Sequence, residues 1–180
     1  MKKTMLSLLA ISVVMISCNT AKTYFTSDIR TAVENNHQQL EKIQFYADRD
    51  IILTRELTTD ETKVSSGKVK FENGHYTQII KLKKNTPGVC TVVKNNIVGI
   101  SFELGNNKHL IFSKPKNAKT DEPYRLQISS WLKETAIVEY EGKKFQVQAD
   151  GANAGIKIKT SLLKKEKTEE REMKGRTIQD

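Results

Sequence analysis

The stretch Lys68-Val69-Lys70-Phe71-Glu72-Asn73-Gly74-His75-Tyr76-Thr77-Gln78-Ile79-Ile80-Lys81-Leu82 decides the fold. Two strand-like runs, Lys68–Glu72 and Tyr76–Leu82, flank the pair Asn73-Gly74. Alternation of apolar and polar side chains with a period of two marks a strand. Asn-Gly tolerates the positive φ values that a two-residue hairpin turn requires at both central positions. The stretch therefore predicts an antiparallel β-hairpin, and a lone hairpin is not stable until further strands or a helix cover one of its faces.

Partners for the hairpin are legible on both sides. Upstream, Asp50-Ile51-Ile52-Leu53-Thr54-Arg55-Glu56-Leu57 reads as a strand. Downstream, strands are predicted at Val89–Val93, Ile97–Leu104, His109–Phe112, Arg125–Ser129, Ala136–Tyr140, Lys144–Ala149 and Gly155–Leu162. Turn clusters separate them: Asn85-Thr86-Pro87-Gly88, Asn95-Asn96, Gly105-Asn106-Asn107, Lys114-Pro115-Lys116-Asn117 and Glu141-Gly142. Short strands at this spacing predict a mainly β chain folded as an antiparallel β-sandwich or barrel. An amphipathic helix is expected before it. Ser27 can cap, Asp28 suits the first turn, and Ile29, Val33, Leu40, Ile43 and Ala47 recur at helical spacing over about four to five turns. Residues 164–180 are rich in Lys, Glu and Arg with few apolar residues, which predicts a charged tail, disordered or a solvated helix.

The N-terminus has a different grammar. Met1-Lys2-Lys3 is a short basic region, and Met5 to Ile16 is apolar apart from Ser7 and Ser12. That run is shorter than the roughly 20 apolar residues a spanning helix needs, and it suits a cleavable signal. It ends in Met15-Ile16-Ser17-Cys18. This layout resembles the signal and lipobox of bacterial lipoproteins, although Met15 stands where Leu is usual. The resemblance covers only the first twenty or so residues. It implies cleavage before Cys18, diacylation of the Cys18 thiol, and attachment to a bilayer. Asn19 in place of Asp further implies the periplasmic face of the outer membrane rather than retention at the inner membrane. On this reading residues 1–17 are a signal peptide, 18–26 the lipidated Cys and a tether, 27–163 the helix and β domain, and 164–180 the tail.

The mature chain of 163 residues is one domain of ordinary size. Its formal charge, +9 for the whole sequence and +7 without Lys2 and Lys3, fits a solvated surface, with anionic lipid heads or an acidic partner as the functional alternative. Nucleic acid is not expected as a partner, because the signal exports the chain and the basic residues form no compact patch interleaved with aromatics. Only two cysteines exist, Cys18 and Cys90. With Cys18 acylated no internal disulfide is available, and Cys90, within Gly88-Val89-Cys90-Thr91-Val92-Val93, is expected to be a small buried hydrophobe.

No catalytic or metal signature emerges. His37, His75 and His109 lack metal-ligand spacing. Asp48-Arg49-Asp50 lacks the further oxygen ligands of a calcium loop and reads as a capped turn. There is no Gly-rich phosphate loop, nucleophile elbow or His-Glu-x-x-His. No cofactor is expected. Phe45 and Tyr46, in the densest apolar-aromatic stretch, together with Trp131, form a possible interaction patch. The functional expectation is a membrane-anchored, non-enzymatic interaction or assembly subunit of a cell-envelope complex such as a secretion apparatus. Its partners would be the bilayer, through acylated Cys18, and other envelope proteins. A periplasmic carrier of a small hydrophobic ligand inside a β-barrel is the alternative, and an envelope hydrolase the third.

Overall fold

The computed structural model describes residues 21–58, 61, 68–72 and 74–163; the expected signal, Cys18 and the charged tail lie outside them. Thirteen strands are formed: β1 (Lys22–Tyr24), β2 (Gln44–Ala47), β3 (Ile51–Leu57), β4 (Lys68–Glu72), β5 (His75–Leu82), β6 (Pro87–Lys94), β7 (Ile97–Ser101), β8 (His109–Ser113), β9 (Arg125–Leu126), β10 (Ser130–Leu132), β11 (Thr135–Tyr140), β12 (Lys143–Gln148) and β13 (Ile156–Lys159). Two short helices, α1 (Ser27–Asn35) and α2 (Ala149–Ala152), and 3₁₀ turns at Leu40–Lys42 and Thr160–Leu163 complete the described chain.

The strands form two antiparallel sheets, in the orders β1-β13-β2-β6-β7-β8-β9 and β10-β11-β12-β3-β5-β4. The hairpin at the centre of the sequence reading is β4–β5, with Glu72 opposite His75 and Gly74 at φ +83 in the connection. The β11–β12 hairpin turns on Glu141 (φ +54) and Gly142 (φ +69), the paired positive values of the tight hairpin turn.

Alternation fixes which face of each strand is covered. In β2 Phe45 and Ala47 point in; in β7 and β8 Val98, Ile100, Leu110 and Phe112 do so; in β13 Ile156 and Ile158. From the other sheet Ile51, Leu53, Ala136, Val138, Phe145 and Val147 join them in one apolar cluster. Phe25 sits among them, edge-on to Phe45 at 5.1 Å and tilted against Tyr124 at 5.0 Å. Gly88 is where β6 admits the neighbouring chain: a Cβ there would lie 2.7 Å from Ile100 Cγ2 and from the Phe102 ring.

The barrel alternative is not realised, because each sheet keeps two edge strands. The edges of the larger sheet do touch at one corner. Tyr124 N donates to Phe25 O (2.9 Å) and Leu126 N to Ala154 O (2.8 Å), without a continuous ladder between the two edges.

The helix is shorter than its periodicity implied. Thr26 is the cap, its Oγ1 accepting from Ile29 N at 3.1 Å, and α1 ends at Asn35. His37, at φ +56, breaks the helical path. Leu40 and Ile43 are buried from a 3₁₀ turn and its exit, and Ala47 from strand β2. The tether also ends sooner than residue 26, since Lys22–Tyr24 are a sheet strand and Phe25 and Thr26 are buried. Three predicted strands stop early: Ile97–Leu104 at Ser101, Arg125–Ser129 at Leu126, and Gly155–Leu162 at Lys159.

Candidate functional site

The titratable side chains singled out by sequence are dispersed. His37 is exposed in the turn after α1, His75 lies 3.9 Å from Glu56 on the surface, and His109 is half-buried on β8. Asp48 is buried and accepts the Gly155 N–H at 2.8 Å, with Arg49 at 3.4 Å and Arg125 at 3.8 Å. Asp50 faces solvent and accepts from Lys84 N (2.7 Å) and Lys83 Nζ (2.9 Å). The two carboxylates thus hold different turns. Among the described residues no group of three His, Cys, Asp or Glu side chains is placed to hold a metal. Cys90 is buried, and loss of solvent pushes its thiol up to about 11. That is the inert end of cysteine chemistry, because the thiolate is the nucleophile.

Space between the sheets is modest. A cavity of about 180 Å³ opens between the sheets, lined by Leu53, Ile80, Leu82, Phe102, Leu110 and Tyr140. Drug-sized ligands occupy about 300–1,000 Å³. At its rim Tyr140 donates to Glu103, and Lys108 reaches Glu103 at 3.2 Å and Glu141 at 3.3 Å. Burial and the Glu103 charge push the Tyr140 hydroxyl up, while its hydrogen bond holds the Glu103 carboxyl below the ordinary range. These groups lock the β7–β8 loop to the β11–β12 turn. A second, open groove of about 410 Å³ runs beside β6, where Val89 and the 97 % exposed Leu104 line it.

The three residues of the expected patch part company. Phe45 is wholly buried in the core, because β2 turns it inward, so it is withdrawn as a surface contact. Tyr46 takes the outer face of the same strand and is half-buried. Trp131 is 56 % exposed on β10, with Leu132 beside it at 58 %. Strand β10 is the outermost strand of the six-stranded sheet, and among the described residues its far side has no strand partner. Ser129, just before it, is tied down by N–H and Oγ bonds to Ile137 O at 2.8 and 2.7 Å. The indole is therefore displayed on a fixed strand rather than on a loose loop.

Tyr46 belongs to a surface that sequence reasoning missed. Register places Lys22 opposite Lys159 and Tyr24 opposite Lys157 across β1–β13, and Lys157 opposite Tyr46 across β13–β2. All five side chains share the outer face, since Thr23, Phe45 and Ile158 take the other. Lys22 Nζ lies 4.1 Å from the Tyr46 ring centre and Lys157 Nζ 4.4 Å from that of Tyr24. Only the alternation of Lys157 and Lys159 could have hinted at this face, because its members come from both ends of the chain.

No family model matches this chain, and no significant match was found among curated proteins or solved structures. Nothing positive in the fold or in these comparisons indicates enzyme activity. No helix among the described residues is long and apolar enough to cross a membrane.

Proposed function

We propose that this chain is a lipid-anchored cell-envelope protein, held by acylated Cys18 at the periplasmic face of the outer membrane, and that it works as a non-enzymatic interaction or assembly subunit of an envelope complex such as a secretion apparatus. The observation that carries the reading is the display of Trp131 and Leu132 on a sheet edge that has no strand partner among the described residues. An edge strand offers unmatched backbone donors and acceptors to an added strand, and exposed Trp is the residue type most enriched at binding hot spots. An open β-sandwich, two sheets over one core, is the scaffold this reading assigns. The carrier alternative is less favoured, since the inter-sheet cavity of about 180 Å³ is small for a ligand and is rimmed by charge.

The test is Cys18→Ser, expressed at matched levels in a deletion strain. Fatty-acid incorporation should be lost, as should membrane fractionation after a high-salt wash, and the deletion phenotype should persist, because tethering supplies the effective concentration at membrane-bound partners. A soluble variant that restores the phenotype fully would overturn the assembly reading in favour of a carrier or enzyme.

A further inference from the structure

We propose that the outer face of β1, β13 and β2, built by Lys22, Tyr24, Tyr46, Lys157 and Lys159, is a second membrane contact, docking on anionic phospholipid headgroups of the leaflet that holds acylated Cys18. The inference rests on the lipid-anchor reading for its geometry, and on the surface itself for its chemistry.

The geometry comes from chain length. Lys22 is four positions beyond Cys18, and an extended chain spans at most 3.3–3.6 Å per residue, so the start of β1 stays within about 14 Å of the anchoring point. That is little more than the roughly 8–10 Å over which charge acts in physiological salt. The domain therefore has one neighbourhood to rest in, and the face nearest the anchor meets the headgroups first.

The chemistry comes from register. Lys22 stands directly opposite Lys159, with Lys157 on the same strand face. Like charges opposed across a ladder are destabilising. Among the described residues no carboxylate pairs with Lys22, Lys157 or Lys159; the nearest relief is Asn85 Oδ1, 3.4 Å from Lys22 Nζ, and the faces of two tyrosine rings. Ring faces orient an ammonium group but leave its charge intact. The outer positions of these strands carry no Asp or Glu; they present three lysines and two phenols, and Arg125 adds a guanidinium 5.9 Å from the Tyr24 ring centre. Phenols favour the headgroup depth of a bilayer and lysines its negative surface. A lipid surface satisfies both, whereas a soluble acidic ligand leaves the tyrosines unused.

The probe is the chain from residue 19 onward, which keeps every residue of the core cluster, Phe25 to Ile158, and carries no acyl group. It is sedimented with phosphatidylcholine vesicles and with vesicles of phosphatidylcholine and phosphatidylglycerol mixed about two to one, at low and at physiological salt. Binding should appear on the phosphatidylglycerol vesicles alone and weaken with salt. With each lysine near an anionic leaflet contributing about fivefold, Lys157→Glu/Lys159→Glu should weaken it by about tenfold or more. Lys81→Glu/Lys144→Glu on the other sheet, an equal change of charge, should leave it within about twofold, because it lies outside the face. Lys159→Gln should lose affinity while melting no lower than the parent, since it relieves the repulsion with Lys22; a merely structural lysine would lose both. Equal binding to both vesicle types, or equal losses in the two double variants, would overturn the proposal. Because the probe is unacylated, these outcomes are independent of Cys18, whose acylation is read separately by fatty-acid incorporation.

Discussion

Tyr140, at the end of β11, donates its hydroxyl proton to Glu103 Oε1 in the β7–β8 loop at 2.5 Å, and so ties one sheet to a connection of the other. Replacing it by Phe keeps the ring over Phe145, 6.1 Å away, and removes only the donor. Tyr140→Phe should therefore cost about 1.5 kcal/mol, the low end for a bond to a charged group. Urea denaturation at neutral pH measures it. The pH dependence has a sign. The hydrogen bond depresses Glu103 below its ordinary 4.5, so its contribution is present above that value and fades as pH falls through the folded value. The Tyr140→Phe protein should show a shallower acid limb than the parent.

Glu61 gives a wider acid window. It accepts from Arg55 Nη1 at 3.0 Å, from Thr58 N at 3.3 Å and from Lys143 Nζ at 3.2 Å, and the Arg55 bond above all holds its carboxyl down to about 2. Stability from this group is complete above 4.5 and is lost between there and about 2. Glu61→Gln should flatten stability over that interval and change it least at the acid end. A parent and variant that lose stability in parallel from pH 5 to 2 would contradict the assignment.

Cys90 should behave as a buried hydrophobe. With its thiol pushed up to about 11, on the order of one molecule in a thousand carries a thiolate at pH 8. A thiol reagent should label the native protein over hours and the denatured protein at once. Rapid labelling without denaturant would point to a nucleophilic role instead.

Trp131 is the sole tryptophan, which makes its exposure directly readable. Native emission should be red-shifted and quenched by acrylamide nearly as well as after unfolding. Trp131→Ala should change stability by less than about 1 kcal/mol, as surface substitutions do, yet weaken the envelope assembly proposed above. A blue-shifted, quencher-resistant native spectrum would remove Trp131 as a contact.

The hairpins and most strands were legible because alternation and turn chemistry are local. Asn73-Gly74 and Glu141-Gly142 mark their connections without reference to anything distant. The errors fall where two periods coincide. Leu40 and Ile43 suit a 3₁₀ turn as well as an α-helix, and Phe45 and Ala47, two apart, belong to a strand whose partners lie more than forty residues away at Pro87–Val89 and over a hundred away at Ile156–Ile158. Strand β1 was missed because Lys22-Thr23-Tyr24 turns only Thr23 inward, which leaves no apolar alternation to read. In the interaction patch Trp131 was found by its type alone. Phe45 failed because the inward or outward sense of a strand depends on register, which sequence does not carry. The basic face was invisible for a related reason: its lysines become neighbours only when the first and last strands pair.

That pairing also governs when the larger sheet is complete. Among the described residues Lys22–Tyr24 has no ladder partner other than β13, the last of their strands, and Ala21 O accepts from Thr160 N at 2.9 Å. Contacts between chain ends are the slowest to form, because the whole intervening loop must close first. A polypeptide emerging N-terminus first, as the proposed export requires, would hold its leading strand unmatched until the trailing one appeared. The architecture would then leave the larger sheet incomplete until passage was over, its last ladders closing beside the proposed point of attachment.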